Sequence, residues 1–88
     1  MKIIRGVYPH KWTAVFDDGK RTNFGHADYQ DYTQHHDAER RRLYRERHKK
    51  DLDTNNPKRP GYLSYYILWG DSTDLNTNIN KYKSKFNL

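Results

Sequence analysis

Between Trp12 and Phe24 the sequence alternates, turns, and comes back. Trp12, Ala14 and Phe16 fall on one face and Thr13 and Val15 on the other, which is the period of two that a half-buried strand requires. Asp17-Asp18-Gly19-Lys20 follows, and Arg21-Thr22-Asn23-Phe24 returns, closed by Gly25. An Asp-Gly pair between two such runs predicts a two-residue type I′ hairpin, because both central positions of that turn need positive φ. Ile3 to Tyr8 supplies a further strand, and Pro9-His10-Lys11 turns it into the next. Residues 1–25 are therefore expected to form a three-stranded antiparallel meander.

The remainder reads as helical. His26 to His36 is a polar connection, expected to be ordered and pinned by Tyr29 and Tyr32. Asp37 is placed to cap a helix over 37–50, with acids at its start and bases at its end, the order the helix dipole favours. Its apolar stripe is narrow, limited to Ala38, Leu43, Tyr44 and the His48 ring. Asp51 to Pro60 is a loop, with two prolines and four Asp or Asn. Tyr62 to Trp69 is too continuously apolar for periodicity to separate helix from strand, and a short buried helix over 61–70 is the reading adopted. Leu75, Ile79, Tyr82 and Phe86 recur at i, i+4, i+7 and i+11, one face of a last helix over 73–87. The fold class expected is α+β: the meander followed by three short helices, in one domain spanning 1–88.

Composition narrows the function classes. An 88-residue chain supports one domain with a thin core, and with 33% apolar residues but eight Tyr and two Trp that core has to be built from large rings. There is no cysteine, which removes disulfides, thiolate metal sites and a Cys nucleophile. No run of apolar residues approaches a membrane span, the first eight residues lack the apolar run of a signal peptide, and Lys2 stands where N-myristoylation needs glycine. The net charge is +6. Its excess lies in residues 1–25, with five Lys/Arg against two Asp, and in residues 37–50, with seven against three acids. Such an excess bears on partners and solubility.

Three features carry candidate chemistry. Arg40, Arg41, Arg42, Arg45, Arg47, Lys49 and Lys50 fall within eleven residues and, on a helix, surround most of its circumference. Guanidinium forks suit phosphate, so the helix is a candidate for a nucleic-acid backbone; the plainer reading is a solvated face with i,i+4 pairs. On the sheet, Lys2, Arg5, Lys11, Lys20 and Arg21 interleave with Trp12, Phe16 and Phe24, an arrangement that suits single strands unless those rings are simply the core. Lys20 and Arg21 are expected to extend the basic patch. Tyr62, Tyr66 and Trp69 are candidates for a protein partner or a second copy of the chain, with core packing as the alternative. His35, His36, Asp37, His26 and His48 do not form a metal-binding spacing, and neither a cofactor nor a catalytic set is expected.

The order of several motifs is familiar. Lys20-Arg21-Thr22-Asn23-Phe24-Gly25, then Asp31-Tyr32-Thr33, His36-Asp37, Arg40, Tyr44, Arg47-His48-Lys49 and Gly61-Tyr62-Leu63-Ser64 running to Trp69 resemble a small family of uncharacterised proteins of large double-stranded DNA viruses, over roughly residues 10–88. The chain departs from that family at Tyr65, where a base is common, and in the longer stretch after Trp69. The resemblance implies a viral origin and a meander followed by helices; it implies no activity. Arg40, Tyr44, Arg47 and His48 share one helical face, which either packs on the sheet or touches a ligand. The first expectation is a non-enzymatic nucleic-acid-binding accessory protein of such a virus, in the host cytoplasm or nucleus or in the virion. The alternatives are a structural protein of the virion that binds a protein partner and, less favoured, a small metal-dependent nuclease using His36 or His48.

Overall fold

A computed structural model describes residues 1–88. The architecture is α+β, a three-stranded antiparallel sheet in the order β1-β2-β3 with helices packed on one face. β1 is Lys2–Arg5, β2 His10–Val15 and β3 Arg21–His26. Register pairs Ile3 with Ala14, Ala14 with Thr22, and Trp12 with Phe24. These residues therefore share the face that meets the helices, as the alternation requires.

The hairpin differs from its expected turn. Gly19 has φ +86° but Asp18 does not adopt positive φ. The Gly19 amide donates to the Phe16 carbonyl at 2.9 Å and the Phe16 amide to the Lys20 carbonyl at 2.9 Å. The connection is thus a three-residue loop with a glycine bulge, in which only one position needs the left-handed region. β1 also ends earlier than expected, leaving Val7 and Tyr8 exposed.

The connection after β3 contains a short helix α1, Tyr32–His35, capped by the Asp31 carboxylate and by Gln34. Of its two expected anchors only Tyr32 is partly buried; Tyr29 stands 71% exposed. The segment is held instead by Lys11, whose ammonium donates to the Asp31 carboxylate at 2.7 Å, the Tyr29 carbonyl at 2.7 Å and the Gln34 side chain at 2.6 Å.

Helix α2, Ala38–His48, begins at Asp37, whose carboxylate accepts from the Glu39 and Arg40 amides, as expected. A 3₁₀ turn, Lys49–Thr54, follows. Helix α3, Pro60–Leu63, runs directly into a π-helical turn, Ser64–Leu68, closed by the Trp69 amide donating to the Ser64 carbonyl at 3.0 Å. This segment buries Tyr62, Leu63, Tyr65, Ile67 and Leu68. The wider turn spreads apolar positions around the axis, so no helical period is visible in the sequence.

The last helix, α4, is Leu75–Phe86 and lays Leu75, Ile79, Tyr82 and Phe86 against the core. Buried Asn78 lies on the same side. Its amide donates to the Ile67 and Ser72 carbonyls at 2.9 and 2.7 Å, and its oxygen accepts from the Ser72 amide at 3.1 Å. The core joins Met1, Ala14, Phe16 and Phe24 of the sheet to Tyr62, Leu63, Ile67, Leu68 and Tyr82 of the helices. No helix is long and apolar enough to cross a membrane.

Candidate nucleic-acid interface

The seven central bases separate into two groups. Arg41 donates to the Gly70 carbonyl at 2.7 Å and pairs with Asp71 at 2.9 Å. Arg45 donates to the Tyr65 and Trp69 carbonyls at 3.1 and 2.7 Å, with its guanidinium 4.0 Å from the centre of the Tyr65 ring. These two arginines fasten α2 to the π turn. Arg42 pairs along its own helix with Glu39 at 2.6 Å and Glu46 at 3.0 Å. That pairing holds the exposed Glu39 carboxyl below its ordinary range and offsets the Arg42 charge on the outer face of α2. Arg40, Arg47, Lys49 and Lys50 are exposed, and their side chains have no hydrogen-bond or ion-pair partner in the chain. The expectation of a basic surface around most of the helix is therefore corrected: Arg41, Arg42 and Arg45 are spent on the fold, and one edge remains.

Of the four free bases, Arg40 and Arg47 line a cleft of about 570 Å³, within the size range of ligand sites. Arg40, Leu43, Tyr44, Arg47 and His48 of α2 form one wall, Ser64, Leu68 and Trp69 the floor, and Gly25, His26, Tyr29 and Asp31 the other wall. The face that Arg40, Tyr44, Arg47 and His48 share by helical spacing thus lines a cavity. Gly25 is needed here: its φ is +77°, and a Cβ would lie 2.8 Å from the Leu68 side chain. The chain passes close over the floor at this point.

A column of rings joins the α2 wall to the floor. Tyr44 stacks on Trp69 with centres 4.2 Å apart and planes within 7°, and His48 stacks on the opposite side of Tyr44 at 4.1 Å. His35 meets Trp69 at 5.2 Å. Burial pushes the Tyr44 hydroxyl up to about 12, so it stays protonated and neutral. His48 Nδ1 lies 3.0 Å from the Asp51 carboxylate, which orients the end of the column. The Asp37 amide donates to His35 Nδ1 at 2.9 Å, leaving a buried Nε2 without a partner, and burial holds the His35 pKa below its ordinary value.

The other candidates fall elsewhere. Lys20 and Arg21 lie at the opposite end of β3 from Gly25 and His26, about 16 Å away at the usual strand rise, so they do not line the cleft with Arg40 and Arg47. Tyr62 is buried, with its hydroxyl donating to the Leu52 carbonyl at 2.8 Å. Tyr66 packs against Tyr82 and Phe86, and Trp69 is covered by Tyr44. The expected partner face of Tyr62, Tyr66 and Trp69 is thus mostly core. No group of three or more His, Asp or Glu side chains converges in a metal-binding arrangement; His36 closes α1 in the left-handed region, with Nε2 3.2 Å from the Thr33 carbonyl.

Lys11 and Tyr29 are the site residues that sequence reasoning did not single out for this role. Lys11 was visible only as one of several sheet bases, and Tyr29 as an anchor.

A family model described as a family of unknown function (DUF5754) matches residues 6–48, just under half of the chain. The match runs from Gly6 to the end of α2, so it includes Lys11, Asp31 and the cleft face of α2 but leaves out the floor segment Ser64–Trp69. No curated protein and no solved structure matches the chain.

Proposed function

We propose that this chain is a nucleic-acid-binding module that acts by binding, without turning over a substrate, and that its binding surface is the cleft edge of α2. The observation that carries this reading is the sorting of the arginines. Arg41, Arg42 and Arg45 are tied to carbonyls or carboxylates of the chain; Arg40 and Arg47 are left free at a cleft whose walls are rich in rings. Lys49 and Lys50, exposed in the 3₁₀ turn that follows the helix, add two further free cations. Phosphate oxygens would meet these four groups, while the outer face of α2, where Arg42 is offset by Glu39 and Glu46, contributes little. Following the resemblance of the sequence to proteins of large DNA viruses, the setting we propose is the handling or condensation of a viral genome, in the host cytoplasm or nucleus or in the virion.

The test is fluorescence anisotropy with labelled oligonucleotides across about 50 to 300 mM salt, where counterion release is resolved. Arg40→Gln/Arg47→Gln is expected to weaken binding at least about tenfold and to flatten the salt dependence by roughly 0.7–0.9 in log–log slope for each phosphate left without its cation. Arg42→Gln is expected to leave both nearly unchanged. Absence of binding at the lowest salt, or equal effects of the two variants, overturns the assignment.

A further inference from the structure

The cleft also carries information on which form of nucleic acid it takes. Arg40 and Arg47, which lack partners, line a walled groove, whereas Arg42, on the face of α2 that projects outward, is paired with Glu39 and Glu46. A helix that reads a duplex enters the major groove with its basic face foremost. Here the wall formed by Gly25, His26 and Tyr29 stands opposite that face and obstructs such an approach.

The rings decide what fits instead. Tyr44 is covered on both faces by Trp69 and His48, so the column is closed to an incoming base along its length. Tyr29 is different. It is 71% exposed, it lines the cleft, and its one aromatic neighbour, His26, meets it edge-on with centres 5.0 Å apart. The Tyr29 ring is not what holds the connection, since Lys11 does so through the Tyr29 carbonyl. The hydroxyl of Tyr29 makes no hydrogen bond in the chain, which leaves the ring as the part with a use.

Resting on the nucleic-acid reading above, we propose that the cleft is a single-strand site in which an unpaired nucleobase stacks on the face of Tyr29 while Arg40 and Arg47 hold the flanking phosphates. Lys11 acts as a positioning residue: with its three N–H donors engaged it has none to offer a phosphate, but it fixes the backbone that carries Tyr29. A single strand presents both the π-face and the phosphate that this arrangement addresses, and a duplex hides the first. DNA and RNA share that chemistry.

The experiment compares the wild-type chain, Tyr29→Ala and Tyr29→Phe on single-stranded DNA and RNA of about 20 nucleotides, longer than the ~4–16 that one small domain covers, and on the matching duplexes. Wild type is expected to prefer single strands. Tyr29→Ala is expected to lose roughly 5- to 150-fold on single strands, the usual worth of one stacked base, with duplex binding unmoved. Tyr29→Phe is expected to retain wild-type affinity, because it keeps the ring. The ratio of the DNA and RNA affinities identifies the strand preferred. Equal affinity for single strands and duplexes, or no effect of Tyr29→Ala on single strands, overturns the single-strand site while the wider binding assignment stands. Loss of every interaction at low salt overturns both.

Discussion

Arg45 and Arg47 are two positions apart on α2, carry the same group, and meet different surroundings. Arg45 donates to two backbone carbonyls and lies over the Tyr65 ring, so it replaces the water those carbonyls would otherwise need; Arg47 reaches into the open cleft. Truncation of Arg45 strands the Tyr65 and Trp69 carbonyls at a partly buried site, and a charge-assisted hydrogen bond contributes about 1.5–3 kcal/mol. Arg45→Met is therefore expected to lower unfolding stability by about 2–3 kcal/mol, and Arg47→Met by no more than about 0.5 kcal/mol, the usual limit for a surface change. Urea denaturation of the two variants measures this directly. Equal and small losses would mean that Arg45 is a free surface base, as the sequence alone suggests, and the division of the arginines would fail. The helical period shows which bases share a face. It does not show that Gly70, Tyr65 and Trp69 present carbonyls to one of those faces, because these acceptors come from a segment about 20 to 30 residues later in the chain.

Elements whose signal is local were legible in the sequence. The meander, the Asp37 cap and the Leu75/Ile79/Tyr82/Phe86 stripe each follow from residues within one strand pair or one helix, and each stands where it was expected. The hairpin was placed correctly but its turn was not. Asp18-Gly19 satisfies both a two-residue loop and a three-residue loop with a glycine bulge, and the register of β2 on β3 decides between them. The aromatic segment is the short buried helix expected, but its periodicity could not show it, since a π turn has no place in a 3.6-residue template. Its junction with α4 depends on Asn78, which the sequence presents no differently from Asn80 two residues later. Asn78 is buried and makes three hydrogen bonds across the junction, whereas Asn80 is exposed. Asn78→Ala leaves three backbone groups without partners and is expected to cost about 2–4 kcal/mol, against at most about 0.5 for Asn80→Ala. Thermal or urea unfolding of this pair checks the expectation, and similar small losses would show that the junction is held by the packing of Tyr82 and Phe86 alone.

At the scale of the molecule, the +6 charge favours polyanions but says little about where they bind, because an unfolded chain carries the same seventeen bases. The folded chain adds a cleft in which two free guanidinium groups stand beside one exposed ring, a juxtaposition built from β3, the following connection, α2 and the π turn. The sequence contains the shared face of Arg40, Tyr44, Arg47 and His48 but not what lies opposite it, since that depends on how distant segments pack. Linkage gives a way to separate charge from cleft. A ligand that binds only the folded state stabilises it by about 2.7 kcal/mol at one hundred times its Kd, and a domain of this size gains roughly 4–8 °C per kcal/mol. An oligonucleotide seated in the cleft is therefore expected to raise Tm by roughly 10–20 °C at that excess. Heparin, a polyanion without bases, finds much the same charge on the unfolded chain, and binding to the unfolded state cancels the gain. At matched saturation and low salt its shift is expected to be far smaller, and Arg40→Gln/Arg47→Gln is expected to bring the oligonucleotide shift down towards it. Equal shifts for the two polyanions in the wild-type chain would reduce the interaction to net charge and leave the cleft without a part in it.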